Sequence, residues 1–241
     1  AVFALNIIVF LMSFGFYVLY PLLANHLISW QKIAVLSVTF ILNARVVTQD
    51  ALMFPVGLLL GRMPVHAAVA LGGIVRGIGF LLFALTDSFP LLLTASLLTG
   101  AGGALFFPAM YALYTHYSNV DTRLIVFARR ERLNSLGAVL GPLAGTLLNR
   151  LGFLWVGIAS SLVFVAASIY LMLAMPEDAV ASTSQGNKTV SLRIVLADAR
   201  FLLFAVAAML IMQIHNQMGL AIAVRIDQVN PAYQHVGLFS S

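Results

Sequence analysis

Five ionisable residues sit where apolar sequence gives them no obvious support: Arg45, Asp50, Arg76, Glu131 and His215. An ionisable group at membrane depth costs several kcal/mol unless it faces a polar interior or a water-filled cavity, so each marks a candidate path for cargo or protons. Arg45 and Gln49 are four residues apart and share one helix face. Asp50 is five residues from Arg45, roughly 140° around the helix, so the two need not pair. It is the only acid inside the first four apolar stretches, and as a buried carboxyl it is the expected proton-exchanging group. Glu131 lies in Arg129-Arg130-Glu131-Arg132 and is expected to pair with one of these arginines or with a neighbouring helix, while Arg129 and Arg132 reach for the interface. Gln213, His215, Asn216 and Gln217 form a polar centre in the last apolar stretch, where a lone histidine is more often a hydrogen-bonding residue than a titrating one.

The elements that must position these residues are read from hydropathy. Residues 2–23, 33–60, 67–86, 90–117, 124–148, 153–175 and 201–224 are apolar runs. Each is about 20 residues or longer, enough to cross a bilayer as a helix. The whole sequence is 61% hydrophobic and 9% charged, with a mean hydropathy of +1.01. A water-soluble domain has about a quarter of its residues charged, so the fold class is an all-α, multi-pass membrane protein. The net charge of +5 does not imply nucleic acid, because the basic residues are scattered and many sit at segment ends, where cytoplasmic anchoring accounts for them. With the N-terminus cytoplasmic, Arg62, Arg123, Lys188, Arg193 and Arg200 collect on one side, and Lys32, Arg150 and Arg225 on the other. That is the orientation favoured by the positive-inside bias.

Short breaks between runs force neighbouring helices to alternate in direction. The one long polar stretch, 176–200, reads as a flexible linker. A short internal repeat ties the two groups of three helices together. Pro55 is followed by Gly57-Leu-Leu-Leu-Gly61-Arg62, and Pro142 by Gly145-Thr-Leu-Leu-Asn-Arg150. Because three is odd, the two copies fall on opposite membrane faces, as in an inverted-topology repeat of a transporter. Gly137, Gly141 and Gly145 recur every four residues, which places them on one face where a neighbouring backbone can approach closely; Pro142 within the run can bend the helix. The aromatics, among them Phe16, Tyr17, Tyr20, Phe107, Tyr111 and Tyr114, are read mostly as packing or interface residues, with a few lining a cavity.

There is no cysteine, which excludes disulfides, thiolate metal sites and cysteine nucleophiles. No phosphate-binding loop and no H-E-x-x-H zinc motif is present, and Gly77-Ile-Gly79 lies inside an apolar run rather than after a strand. Neither an enzyme activity, a cofactor nor a metal is predicted. The first residues lack an initiating Met, and Val236-Gly-Leu-Phe239 begins a further apolar run at the other end, so a longer protein is expected.

Gly137-Ala-Val-Leu-Gly141-Pro142-Leu-Ala-Gly145 resembles the fifth-helix antiporter motif of the major facilitator superfamily, GxxxGPxxGG, with Thr146 in place of its last Gly. Gly57 and Arg62 match that superfamily's loop between helices two and three, GxLaDRxGRr, although its Asp is Gly61 here, its second Gly is Pro64, and its next basic residue is at best His66. Arg76-Gly-Ile-Gly-Phe80 resembles a third-helix R-x-x-G-F. Gly100-Ala-Gly-Gly-Ala-Leu-Phe-Phe-Pro108-Ala109 resembles the fourth helix of drug:proton antiporters, in which the usual arginine is replaced by Ser96. Arg45 with Gln49 resembles a second-helix R-x-x-x-Q, and Gln217 a cavity glutamine. The resemblance implies an N-terminal six-helix bundle over 1–175, a cytoplasmic linker over 176–200, and over 201–241 the start of a C-terminal bundle whose remainder would complete the protein. It further implies proton-coupled efflux of small amphipathic or drug-like compounds across the cytoplasmic membrane by alternating access. Uptake of sugars or other polar metabolites on the same fold is the first rival, and a non-transporting scaffold or receptor the second.

Overall fold

A computed structural model describes residues 2–60 and 63–175, together with the isolated positions 199, 203 and 207. The chain divides into two compact units, Ala1–Ser182 and Thr183–Ser241, and all six helices whose bounds are given below lie in the first. They are α1 (Val2–Asn25), α2 (Val35–Leu59), α3 (Val65–Leu85), α4 (Phe89–His116), α5 (Arg123–Asn149) and α6 (Phe153–Ala174). A single π-helical turn, His26–Trp30, extends α1. No strand occurs among the described residues. Apart from positions 199, 203 and 207, the linker and the expected seventh helix, with His215 and Gln217, lie outside the described residues, as does Arg62.

Helix lengths follow from the solvent the chain must cross. A helix rises 1.5 Å per residue, so about 20 residues span a hydrocarbon core of roughly 30 Å. Five of the six helices are long and apolar enough to do so. The expectation that 124–148 is an equally apolar span is corrected: α5 is 27 residues long, but Arg123, Arg129, Arg130, Glu131 and Arg132 crowd its first turns and lower its hydropathy.

The main pairings are α1 with α5 and α6, α2 with α4, and α3 with α4 and α6. Exchanging α1–α3 for α4–α6 maps that set onto itself, which is the packing expected of two equivalent three-helix units. Between helices that face lipid there is little hydrophobic driving force, so close approach and hydrogen bonds hold the bundle together. Ser13 Oγ donates to the Asn134 carbonyl at 2.8 Å, tying α1 to α5. Tyr114 Oη donates to Asn6 Oδ1 at 2.8 Å, tying α4 to α1. Ser96, fully buried, donates to the Ile41 carbonyl, so the residue that replaces the antiporters' arginine fastens α4 to α2.

The α1–α5 contact bears out the close-packing expectation for the fifth-helix glycines, all three of which are buried. A Cβ on Gly137 would lie 2.8 Å from the Phe14 nitrogen, and one on Gly141 2.6 Å from Tyr17 Cβ; one on Gly145 would overlap the Val18 carbonyl. Pro142, between them, leaves its carbonyl to accept from Thr146 Oγ1 at 2.8 Å. Gly57 differs, since a Cβ there would meet nothing within 4 Å.

Overpacking a tight contact costs about 1–3 kcal/mol or more. Gly141→Leu is therefore expected to lower the thermal midpoint of the purified protein and sharply reduce its folded yield, with Gly141→Ala intermediate. A Leu variant that melts at the wild-type temperature contradicts this packing.

Candidate functional site

Five helices, α1, α2, α3, α4 and α6, meet around two arginines at mid-depth. Arg45 lies near the centre of α2 and Arg76 near the centre of α3. Both guanidinium groups lie over the ring of Phe16 from α1, with Cζ at 5.3 Å from its centroid for Arg45 and 5.1 Å for Arg76. Arg45 also lies over Tyr20, one turn further along α1, at 4.8 Å. Arg76 is enclosed by two further rings, Phe107 of α4 at 5.5 Å and Phe164 of α6 at 5.4 Å. The rings also pack on one another: Phe16 stacks on Tyr20 at 4.6 Å and meets Phe80 edge-on at 5.8 Å, and Phe80 stacks on Phe164 at 5.2 Å.

This arrangement exists because α4 lacks side chains where the others need room. A Cβ on Gly102 would lie 2.5 Å from Arg76 Cγ and 2.9 Å from its backbone nitrogen. A Cβ on Gly100 would lie 2.5 Å from the Arg45 carbonyl and 3.2 Å from the Gln49 nitrogen, and one on Gly103 would collide with the Gln49 amide. Gly100-Ala-Gly-Gly thus forms a saddle in which the Arg76 stem and the Arg45–Gln49 turn are seated. Gln49 in turn accepts from Arg45 Nη1 at 3.4 Å.

The electrostatics are one-sided. Arg76 is 4% exposed, and the Nε atoms of both Arg45 and Arg76 are buried with no hydrogen-bond partner among the described residues. Gln49 is the one hydrogen-bond acceptor that either guanidinium finds among those residues. Their one ion pair is elsewhere, between Arg130 and its neighbour Glu131. A cation over an aromatic face gains up to about 2 kcal/mol when desolvated, whereas desolvating it costs several. The rings soften the cost of burying Arg76 but supply no hydrogen-bond acceptor.

Asp50 does not join this group. It lies on an exposed face of α2 with Leu36, Phe40, Val47 and Phe54, all at least half exposed. The expectation that its carboxyl is buried is corrected for the described bundle, and the 140° offset from Arg45 is the reason. Glu131 sits apart as well. Arg130, buried to 4% exposure, lies 4.5 Å from the Tyr111 ring and pairs with Glu131, whose own side chain is 57% exposed. His66 is buried in the first turn of α3, its Nδ1 without a partner among the described residues.

Sequence reasoning found Arg45, Gln49 and Arg76 and missed that Phe16, Phe107 and Phe164 enclose them. The Phe16–Tyr20 spacing of one turn was the available signal, since an arginine in an apolar helix without an acid can recover part of its desolvation cost from ring faces.

Comparison with known proteins shows the family. The family model described as "Major Facilitator Superfamily" matches residues 5–238. The Multidrug resistance protein MdtH of Photorhabdus laumondii is 31% identical over 173 residues, covering 72% of this chain and 43% of the relative. The protein of the same name from Sodalis glossinidius is 28% identical over 219 residues, covering 91% of this chain and 54% of the relative. An uncharacterized MFS-type transporter of Mycobacterium tuberculosis is 29% identical over 227 residues, covering 93% of this chain and 54% of the relative. The chain therefore spans about half the length of these relatives.

A buried charge with no counter-ion among the described residues is a stability cost. Replacing buried ionic groups by hydrophobic ones of similar shape is often stabilising, by about 1–4 kcal/mol. Arg76→Met is accordingly expected to raise the thermal midpoint of the cargo-free protein. A lower midpoint contradicts the absence of a compensating partner.

Proposed function

The chain belongs to the major facilitator superfamily, and from that premise we propose that it forms the N-terminal bundle of a secondary transporter that exports small amphipathic or drug-like compounds across the cytoplasmic membrane in exchange for protons. Residues 1–175 supply six helices to one side of a central cavity, and a second bundle of the same longer protein supplies the other. The two rock around a midplane site to give alternating access. The observation that carries the reading is the aromatic-lined arginine pair at mid-depth, in a chain similar to proteins named for multidrug resistance. Stacked rings suit apolar and aromatic cargo better than sugars, which need many fixed hydrogen-bonding groups.

Asp50 is the proposed proton carrier. Its carboxyl lies near the middle of α2 on a face otherwise apolar, so in a membrane it must meet either a water path or a polar group of another bundle. A carboxyl that is protonated on one side and ionised on the other couples the two gradients. Glu131 is less suited, because Arg130 already neutralises it. The α5 glycines 137, 141 and 145 and Pro142, with Gly57 in the last turn of α2 and Arg62, which lies outside the described residues, are proposed as the parts on which the bundles pivot.

In proteoliposomes holding the intact protein, an imposed proton gradient is expected to drive efflux of amphipathic dyes. Asp50→Asn is expected to remove that drive by about tenfold or more while downhill exchange of dye continues, as loss of a positioned proton-transfer group implies. Gradient-driven efflux by the variant with unchanged pH dependence assigns the coupling to another group, Glu131 or His215 first.

A further inference from the structure

We propose that Arg45 and Arg76 jointly bind a negatively charged group on the cargo, so that the preferred substrates are amphipathic anions: an aromatic or aliphatic body ending in a carboxylate, sulfonate or phosphate. This rests on the export reading above and narrows its substrate class.

The first support is an imbalance of donors and acceptors. Two guanidinium groups present two forks of N–H donors, and among the described residues they meet one amide oxygen, at 3.4 Å. Both Nε atoms are buried and unpartnered there. A buried donor without an acceptor costs more than a made hydrogen bond gains, so a group with several acceptor oxygens that enters here relieves that cost. Carboxylates, sulfonates and phosphates are the groups that match a guanidinium fork.

The second support is geometry. The two cations come from different helices and share one ring, Phe16, which brings two like charges into one small volume. Like charges held together in a poorly screened interior repel, and a shared anion converts that repulsion into attraction. Gln49, oriented through its oxygen by Arg45, leaves its amide nitrogen as a further donor.

The third support is access. Arg76 and Phe164 are buried, but Arg45, Phe16, Tyr20 and Phe107 are each partly exposed, so the cluster can be approached through these four residues. An anionic head can reach the guanidinium groups while its apolar body lies on the Phe16, Tyr20 and Phe107 rings. Arg130 differs, because although its Nε is likewise unpartnered among the described residues, Glu131 already supplies its counter-charge at Nη1.

Two fluorescent probes that differ in one group test this. 1-Anilinonaphthalene-8-sulfonate and N-phenyl-1-naphthylamine have the same rings, and only the first carries a sulfonate. Binding is measured on the intact protein in lipid nanodiscs, with empty nanodiscs subtracted, and export is followed from proteoliposomes. The sulfonate is expected to bind at least about tenfold more tightly than the neutral probe, the value of a charge-assisted contact, and to be exported. Arg76→Gln is expected to reduce that preference about tenfold, and Arg45→Gln, at a less buried site, provides a second variant with the same direction. Arg76→Lys falls between, because an ammonium keeps the charge and loses the fork. Equal or tighter binding of the neutral probe overturns the proposal, and means that a carboxylate of the protein itself fills the pair; if that neutral probe is exported, the export reading stands. A protein that exports neither probe overturns both.

Discussion

The costliest feature of this bundle is a guanidinium group held in the middle of a membrane domain with no carboxylate beside it among the described residues. Arg76 is almost fully buried, and its surroundings are three phenylalanine rings and helix backbone. In a low-dielectric interior such a charge is held by ring faces only in part, and the remainder of its cost must be met by neighbours that cannot be moved. The rest of the central packing follows. Phe16 must face inward from α1, Phe164 from α6 and Phe107 from α4, and α3 must run close enough to α4 for the arginine stem to pass.

That closeness is set by missing atoms. Gly102 leaves the volume that Arg76 Cγ fills, Gly100 admits the α2 backbone at Arg45, and Gly103 receives the Gln49 amide. The same device recurs on the opposite side of the domain, where Gly137, Gly141 and Gly145 admit α1. Two small-residue seams therefore fix α2 and α3 against α4, and α1 against α5. They set the helix positions from which Arg45, Gln49 and Arg76 reach the centre. A central site built this way is rigid along the seams, and the freedom needed for transport has to come from movement of the bundle as a body.

Much of the fold was legible in the sequence because a bilayer imposes a length and a composition. The run at 33–60 became Val35–Leu59, and that at 90–117 became Phe89–His116. The π-helical turn after Asn25 was not legible, since His26–Trp30 carries no distinguishing pattern. Among candidate site residues, Arg45 and Arg76 were singled out by their cost and Gln49 by its spacing from Arg45. Their enclosure by rings was not, because Phe16, Phe107 and Phe164 look like any other apolar residue until the helices are paired. The burial of Asp50 was misjudged for a related reason. Depth along a helix can be read from a sequence, but which face meets the bundle depends on partners, and α2 turns that carboxyl away from α1 and α4. The glycine spacing told that a backbone would come close and left open which one.

The central claim is that a positively charged, anion-accepting site opens at mid-depth beside Arg45. It is tested most directly by the chemistry of a thiol placed there, in a sequence that otherwise has no cysteine. With Arg76 intact, Arg45→Cys in the assembled protein would be reacted with an anionic sulfonatoethyl and a cationic trimethylammonioethyl methanethiosulfonate. Each rate is normalised to the same reagent's rate with a free thiol in water. A normalised rate higher for the anionic reagent, by about tenfold as expected for a unit charge near an unscreened guanidinium, supports the account. A higher normalised rate for the cationic reagent contradicts it, because a carboxylate would then already be present beside the arginines.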